Sequence, residues 1–304
     1  MEKTFYSNGK LLITGEYLVL DGAKSLALPT KYGQYLTVNS GENQEIHWTS
    51  FDKDKSIWFQ ETISFSEIIN YKKLENQSVK LTLIEILHES FLLNPKFLNS
   101  SEGYTISTKL TFPKFWGLGT SSTLINNIAQ WMEINAFELL KNSFGGSGYD
   151  IACAQNDSPI FYQIIDGKPE VEIVNFNPAF SNNLYFVYLN QKQSSKSAIA
   201  SYYKKQNNLS VIFPEINKIT IEIAEVTSLE KFKELLQKHE NIMSEVLELP
   251  TVKENLFSDF DGSIKSLGAW GGDFILVVSN ENPTSYFENK GFKTIVSYKD
   301  MIIL

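Results

Sequence analysis

The chain has 304 residues, enough for one large domain or two ordinary ones, and two fits the length better. With 42% hydrophobic and 20% charged residues it can bury a sizeable core, which excludes a disordered or fibrous chain. A formal charge of −8 argues against a nucleic-acid partner or an anionic membrane surface, and uncharged apolar runs such as Phe274–Val278 are far too short to span a bilayer.

Cys153 is the single cysteine, so an intrachain disulfide framework is excluded and a reducing compartment is expected. Buried packing is the ordinary fate of such a thiol. The opening residues MEKTFYSNGK are not followed by an uncharged apolar stretch, because Glu16 interrupts LLITGEYLVL; this is not the pattern of a signal peptide. The expectation is a cytoplasmic protein, monomer or homodimer, with neither nucleic acid nor membrane as partner.

The first third reads as strands: KLLIT, EYLVL and YLTVN are short β-rich runs separated by Gly9, Gly15, Asp21-Gly22 and Gly33. Val79–Leu93 has a helical rhythm closed by Asn94-Pro95, and Thr105–Thr111 resumes a strand. After GLGTSS at 117–122, the residues Leu124, Ile125, Ile128, Trp131 and Met132 recur at helical steps, predicting a helix that starts at the serines. A short helix, Ala136–Lys141, leads to GGSGYD at 145–150, and Ile151–Ala154 continues as another. Pro159–Ile165 and Val171–Val174 read as strands. The Asn-, Pro- and Ser-rich stretch 175–183 suggests a division into domains 1–180 and 181–304.

The second half opens on a strand, Leu184–Leu189, followed by the polar turn NQKQSSKS. A helix over Leu229–Leu247 places Phe232, Leu235, Leu236, Ile242 and Val246 on one face. The turn LGAWGG at 267–272 precedes a strand, Phe274–Val278, and Thr294–Tyr298 is a closing strand. Strands covered by helices in both halves predict an α+β fold.

Five segments could carry chemistry, one of them Ser194, Ser195, Lys196 and Ser197, which could grip an anion or simply cap the helix that follows. In GLGTSS the glycines permit a tight turn, and the helix behind it presents unpaired N–H groups and a positive dipole end to an anion. A serine-capped helix after a glycine turn explains the same residues equally well. Asp150 follows GGSGY, where it is either a helix cap or a carboxylate that substrate can approach closely and that accepts a proton. Lys10 in KLLITGEY snorkels to the surface or meets a charge, in which case it would help neutralise a transferring phosphoryl group. LGAWGGDF supplies a third flexible turn, or simply a hairpin. His47, His88 and His239 have no metal-ligand spacing, and structural or solvated roles suit them.

In chain order these segments resemble the signature motifs of the GHMP kinases, the group of galactokinase, homoserine kinase, mevalonate kinase and phosphomevalonate kinase. NGKLLITGEYLVLDGAKSLALP resembles the first motif, PKFWGLGTSS the phosphate loop, KSLGAWGGDF the third motif, and GGSGYDIACA the base-bearing segment of the mevalonate and phosphomevalonate kinase branch. The string GYDIA also resembles that of a bacterial subgroup named after it. The resemblance runs from residue 7 to about 278.

The resemblance implies a two-domain GHMP kinase fold, with an N-terminal domain like ribosomal protein S5 domain 2 and a ferredoxin-like C-terminal domain. It implies that Asp150 is the general base and Lys10 the lysine near the transferring phosphate. Gly117, Leu118, Gly119, Thr120, Ser121 and Ser122 would bind the phosphates of ATP, with Ser121 also reaching Mg²⁺. Glu16, Ser147, Gly148, Ser195, Lys196, Gly268, Gly271 and Gly272 would lie on the substrate side. Trp116 and Trp270 are departures, standing where a small residue and a glycine are usual. The helical glutamate that some relatives use for Mg²⁺ has only Glu138 in its region. GEY in place of the galactokinase GEHTDY favours mevalonate-type acids. The reading is an ATP- and Mg²⁺-dependent kinase of a small anionic metabolite, mevalonate- or phosphomevalonate-like. Its rivals are a diphosphomevalonate decarboxylase-like enzyme and a catalytically silent nucleotide- or metabolite-binding protein.

Overall fold

The computed structural model describes residues 2–73, 78–191, 199–200, 202–204 and 211–303. They form two compact units built from interleaved segments. The first comprises Met1–Gly9, Tyr32–Lys114 and Leu118–Gln155; the second comprises Lys10–Lys31, Phe115–Gly117 and Asn156–Leu304.

In the first unit, β1 (Lys3–Leu12) begins beside β2 (Ser25–Ser40), with Thr4 Oγ1 3.2 Å from Thr37 Oγ1 and the Tyr6 ring against Tyr35. β3 (Glu45–Phe51) and β4 (Ile57–Ser64) form an antiparallel hairpin. Helix α1 (Phe65–Ile69) starts in a capping box, because Ser64 and Glu67 satisfy each other's backbone N–H groups. α2 (Val79–Leu93) is capped by Ser78 and stops at Asn94, since Pro95 cannot continue it. After α3 (Lys96–Asn99), β5 (Tyr104–Leu110) pairs antiparallel with Gln34–Ser40 of β2 and parallel with β3. α4 (Thr120–Met132), α5 (Ala136–Ser143) and α6 (Tyr149–Gln155) complete the unit. Alternate strand residues Leu36, Val38, Ile46 and Trp48 meet Leu83 and Leu87 of α2 and Ile125 and Ile128 of α4 in one core, as the period of two along a strand requires. Cys153 is buried, as expected.

A second, polar core holds α4. Ser7 Oγ donates to Asn127 Oδ1 and accepts from Asn126 Nδ2, both at 2.8 Å. Asn127 Nδ2 donates to Gln34 O at 2.9 Å, Thr123 Oγ1 to Gln34 Oε1 at 2.7 Å, and Gln155 Nε2 to Asn126 Oδ1 at 2.9 Å. Ser7, Gln34, Thr123, Asn126 and Asn127 are all buried. These bonds tie α4 to β1, to β2 and to α6, so the helix cannot slide or turn without stranding polar atoms away from water.

In the second unit, Ser25–Ala27 of β2 pair with β6 (Ile160–Ile165), which turns at Asp166-Gly167 into β7 (Lys168–Ile173). The rest runs β8 (Leu184–Tyr188), α7 (Ile212–Glu225), α8 (Leu229–Leu247), α9 (Val252–Leu256), β9 (Ser263–Ser266), β10 (Phe274–Val278), α10 (Thr284–Asn289), β11 (Ile295–Ser297) and α11 (Tyr298–Met301). Its four strands form an antiparallel sheet in the order β11-β8-β10-β9, the arrangement of a ferredoxin-like βαββαβ layer. β10 is a central strand, and its run FILVV is buried throughout. No helix among the described residues is long and apolar enough to cross a membrane.

EYLVL is not the strand its composition suggests. Tyr17 stands at φ +62°, and Leu18–Asp21 form a 3₁₀ turn closed by Gly22 at φ +96°. Leu18 and Val19 are buried there, so their apolar character serves packing instead of pleating. The polar core of the first unit sets an expectation for stability. Asn126→Ala leaves Ser7 and Gln155 short of a partner and should cost about 1–3 kcal/mol in urea unfolding; a change within 0.5 kcal/mol would mean the network is not limiting.

Candidate active site

The expected site residues other than Ser195 and Lys196 can be followed to their local surroundings. In the first unit, Gly119 sits at φ +97° as the N-cap of α4. Leu118 is buried beneath the turn, and Thr120 and Ser121 lie half-buried on the first helical turn. Ser122 Oγ donates to Gly119 O at 2.9 Å and Thr123 Oγ1 to the same oxygen at 3.0 Å. Those two hydroxyls fold the turn back onto the helix. Ser121 Oγ has no such bond among the described residues, so it stays available at a helix end that favours anions. Asp150 lies in the first turn of α6, behind Gly145, Gly146 and Gly148 at φ +77°, +106° and +93°. A side chain at Gly145 or Gly146 would meet only open space, so backbone conformation is what calls for glycine there. Ser147 is half-buried and Gly148 buried. α4 packs against α6, and the Asn126–Gln155 bond joins them.

In the second unit, Lys10 Nζ donates to Gly117 O at 3.1 Å. The motif-one lysine and the first glycine of the GLGTSS turn are therefore in contact. Gly117 is at φ +69°, and a Cβ there would stand 2.2 Å from Asp273 Oδ2, so the carboxylate of Asp273 packs directly on this glycine. Gly268 and Gly271 take positive φ in the third glycine-rich turn, and Gly272 N donates to Ala269 O at 3.1 Å. Trp116 stands edge-on to Phe274 at 5.3 Å and tilts toward Tyr188 at 6.5 Å. Trp270 donates through Nε1 to Pro250 O at 3.0 Å and packs on the cluster of Tyr17, Met243 and Val246. Ser195 and Lys196 lie outside the described residues.

Glu16 is the residue whose surroundings the sequence least suggests. It is 1% exposed, and its Oε1 is 2.6 Å from Nζ of the equally buried Lys265. Lys265 Nζ also lies 3.4 Å from Glu240 Oε2 and donates to Ser266 O at 2.7 Å. Glu240 in turn accepts from Ser266 N at 3.1 Å and Ser266 Oγ at 2.7 Å. His239 Nε2 accepts from Gly15 N at 3.0 Å and stands 3.5 Å from Glu16 Oε2. A ring nitrogen that accepts an amide proton carries none, so the imidazole is the neutral Nδ1–H tautomer. Burial, reinforced by Lys265, holds the His239 pKa well below its ordinary value, in agreement with that assignment. Burial raises Glu16 from 4.5 to about 7 against the opposing pull of Lys265.

His239 and Glu240 belong to the buried stripe Phe232, Leu235, Leu236, His239, Glu240, Met243, Val246 and Leu247 of α8. That spacing was readable, but two polar residues inside it read as a solvated face until their partners are placed. Tyr17 reads as part of a strand, and Lys265 and Asp273 only as flanks of the third glycine-rich turn, because their partners lie far off in sequence. Among the described residues no group of three or more His, Cys, Asp or Glu side chains is arranged to hold a metal ion.

No protein-family model matches the chain. It is 23% identical over 291 residues to the mevalonate kinase of Methanocaldococcus jannaschii, covering 90% of each chain. The crystal structure of that organism's mevalonate kinase superposes with a TM-score of 0.72 at 16% identity, over 100% of this chain and 99% of that one. The Streptococcus pneumoniae phosphomevalonate kinase in complex with phosphomevalonate and AMPPNP gives a TM-score of 0.68 at 16% identity, over 99% and 98%. The chain has the fold of the GHMP kinases, with the S5-like and ferredoxin-like architecture that its motifs imply.

The raised pKa of Glu16 has a definite consequence. Between pH 4.5 and about 7 the folded state holds a proton that the unfolded chain has already released, so this group's contribution falls as pH rises through that window. The full difference is on the order of 3 kcal/mol. Glu16→Gln mimics the protonated form and escapes the loss. Urea unfolding at pH 5 and pH 8 should therefore show the variant gaining on wild type at the higher pH, and parallel pH profiles would contradict the assignment.

Proposed function

We propose that this protein is an ATP-dependent small-molecule kinase of the GHMP type, and that its acceptor is a small anionic metabolite resembling mevalonate or phosphomevalonate. The contact of Lys10 Nζ with Gly117 O carries the reading, because it joins the motif-one lysine to the phosphate loop. A lysine held there adds positive charge where a γ-phosphoryl group would accumulate negative charge in transfer. The first turn of α4, opened by Gly119, would offer backbone N–H groups and the half-buried hydroxyls of Thr120 and Ser121 to a polyphosphate. Similarity to a phosphomevalonate kinase solved with AMPPNP supports ATP as the nucleotide.

Magnesium fits this donor set. Mg²⁺ is usually held by one or two protein oxygens together with substrate phosphates and water, and Ser121 Oγ is a hard oxygen of that kind. When bound, the ion would neutralise phosphate charge. Asp150, in the first turn of α6 behind Gly145, Gly146 and Gly148, would accept the proton of the acceptor hydroxyl. Gly268, Gly271 and Gly272 would line the substrate side, and Glu16 would support that side from within the protein core. In this reading residues 1–180 carry the phosphate loop and base, and residues 181–304 carry the third loop.

The test is ADP formation from ATP and Mg²⁺ against a panel of hydroxy acids and their phosphates that includes mevalonate and phosphomevalonate. Turnover is expected with at least one acid. Asp150→Ala should then lose about 10²–10⁴-fold in kcat while keeping its unfolding midpoint. Carbon dioxide release with a diphosphorylated acid would assign the decarboxylase chemistry instead. Binding of ATP without turnover on any acceptor would make the protein a silent binder.

A further inference from the structure

Three consecutive residues of the motif-one turn each reach a different point of α8, β9 or the third glycine turn. Gly15 N donates to His239 Nε2 at 3.0 Å, Glu16 Oε1 meets Lys265 Nζ at 2.6 Å, and Tyr17 Oη accepts from Trp270 N at 2.8 Å. Tyr17 does this from φ +62°, a conformation that costs a side-chain-bearing residue free energy and persists only where the surroundings over-determine it. The over-determination is visible. Tyr17 is buried, its ring stacks on Tyr202 with centroids 5.7 Å apart, and the neighbouring Glu16 is locked to a buried lysine.

The same turn is held at its other end. Lys265 and Ser266, just before Leu267, are fixed by Glu16 and Glu240. Asp273, just after Gly272, is at φ +51°, donates its N–H to Gln191 O at 2.8 Å, and lays its carboxylate on Gly117. Between Trp270 and Asp273 there are only two glycines. A turn of that composition has little conformational preference of its own, so its position is imposed from outside. The outside agents are Tyr17 and the buried charges. If they let go, the shift would pass through the two glycines to Asp273 and from there to Gly117, whose carbonyl takes the ammonium of Lys10.

The geometry points to Tyr17, Glu16 and Lys265 as positioning residues for phosphoryl transfer: they hold the third glycine turn against the motif-one turn and so fix Lys10 and Gly117 in their working geometry. This assignment rests on the kinase reading for its catalytic consequence but not for its structural one. The pair Glu16–Lys265 faces Glu240 and the neutral His239 from α8 and Ser266 from β9. None of these groups needs to touch a substrate for the role.

Two variants test it. Tyr17→Phe keeps the ring and the ion pair and removes only the acceptor for Trp270 N–H. Glu16→Gln/Glu240→Gln/Lys265→Met removes the three buried charges together, which avoids leaving one stranded. Amide hydrogen exchange of the 267–273 segment, read by mass spectrometry, should accelerate about tenfold in both, the equivalent of one lost hydrogen bond. With the acceptor found in the panel, kcat should fall about tenfold while KM for ATP stays within about twofold, because misplacement affects the transfer step more than nucleotide capture. Unchanged exchange in Tyr17→Phe would overturn the proposal even if the triple variant does not fold. Faster exchange with unaltered kcat and KM would overturn the positioning role. A wild-type protein with no turnover on any acceptor would defeat the kinase reading, and the exchange measurement would still decide whether the turn is held as described.

Discussion

Taking a carboxylate and an ammonium out of water costs several kcal/mol per charge, and only a close partner with further hydrogen bonds offsets it. Lys265 meets that condition, with Glu16 Oε1 at 2.6 Å, Ser266 O at 2.7 Å and Glu240 at 3.4 Å, whereas Glu16 Oε2 has no hydrogen-bond partner among the described residues, in keeping with its raised pKa. Much of the second unit follows from this constraint. The two charges belong to segments far apart in sequence, and their contact joins the motif-one turn to β9, as the Gly15–His239 bond joins it to α8. A strained tyrosine can then survive at position 17, because the chain on either side of it is no longer free to relax.

The first unit ties its elements together with neutral groups. Ser7, Gln34, Thr123, Asn126 and Asn127 satisfy one another and orient α4 without any buried charge. α4 is held by hydroxyls and amides, whereas the motif-one turn is held by buried charges. The motif-one turn carries Lys10 on the strand leading into it, and behind it one buried ammonium, Lys265, faces two carboxylates, Glu16 and Glu240.

The glycine-rich turns were the most legible part of the chain. Gly117, Gly119, Gly145, Gly146, Gly148, Gly268 and Gly271 all take positive φ, which is the backbone freedom their clustering announces. Helix positions were legible too, because caps and apolar spacing act over a few residues: Ser78, Asn135 and the stripe of α8 are local signals. The polar members of that stripe were not. Histidine and glutamate at positions 239 and 240 are indistinguishable from a solvated face until Lys265 and Gly15 arrive from elsewhere. EYLVL misled for a related reason, since β-branched and aromatic residues suit any buried surface and a 3₁₀ turn can bury them as well as a strand.

The amino-acid sequence alone determined the architecture, the order of the motifs and the places where the backbone must turn sharply, because these depend on propensity, spacing and glycine, all of which act between near neighbours. The tertiary structure alone decided which charges are buried, which hydroxyls are already bonded and which turn holds which, because partners such as Tyr17 and Trp270 or Glu16 and Lys265 stand some 250 residues apart and only folding measures the distance between them.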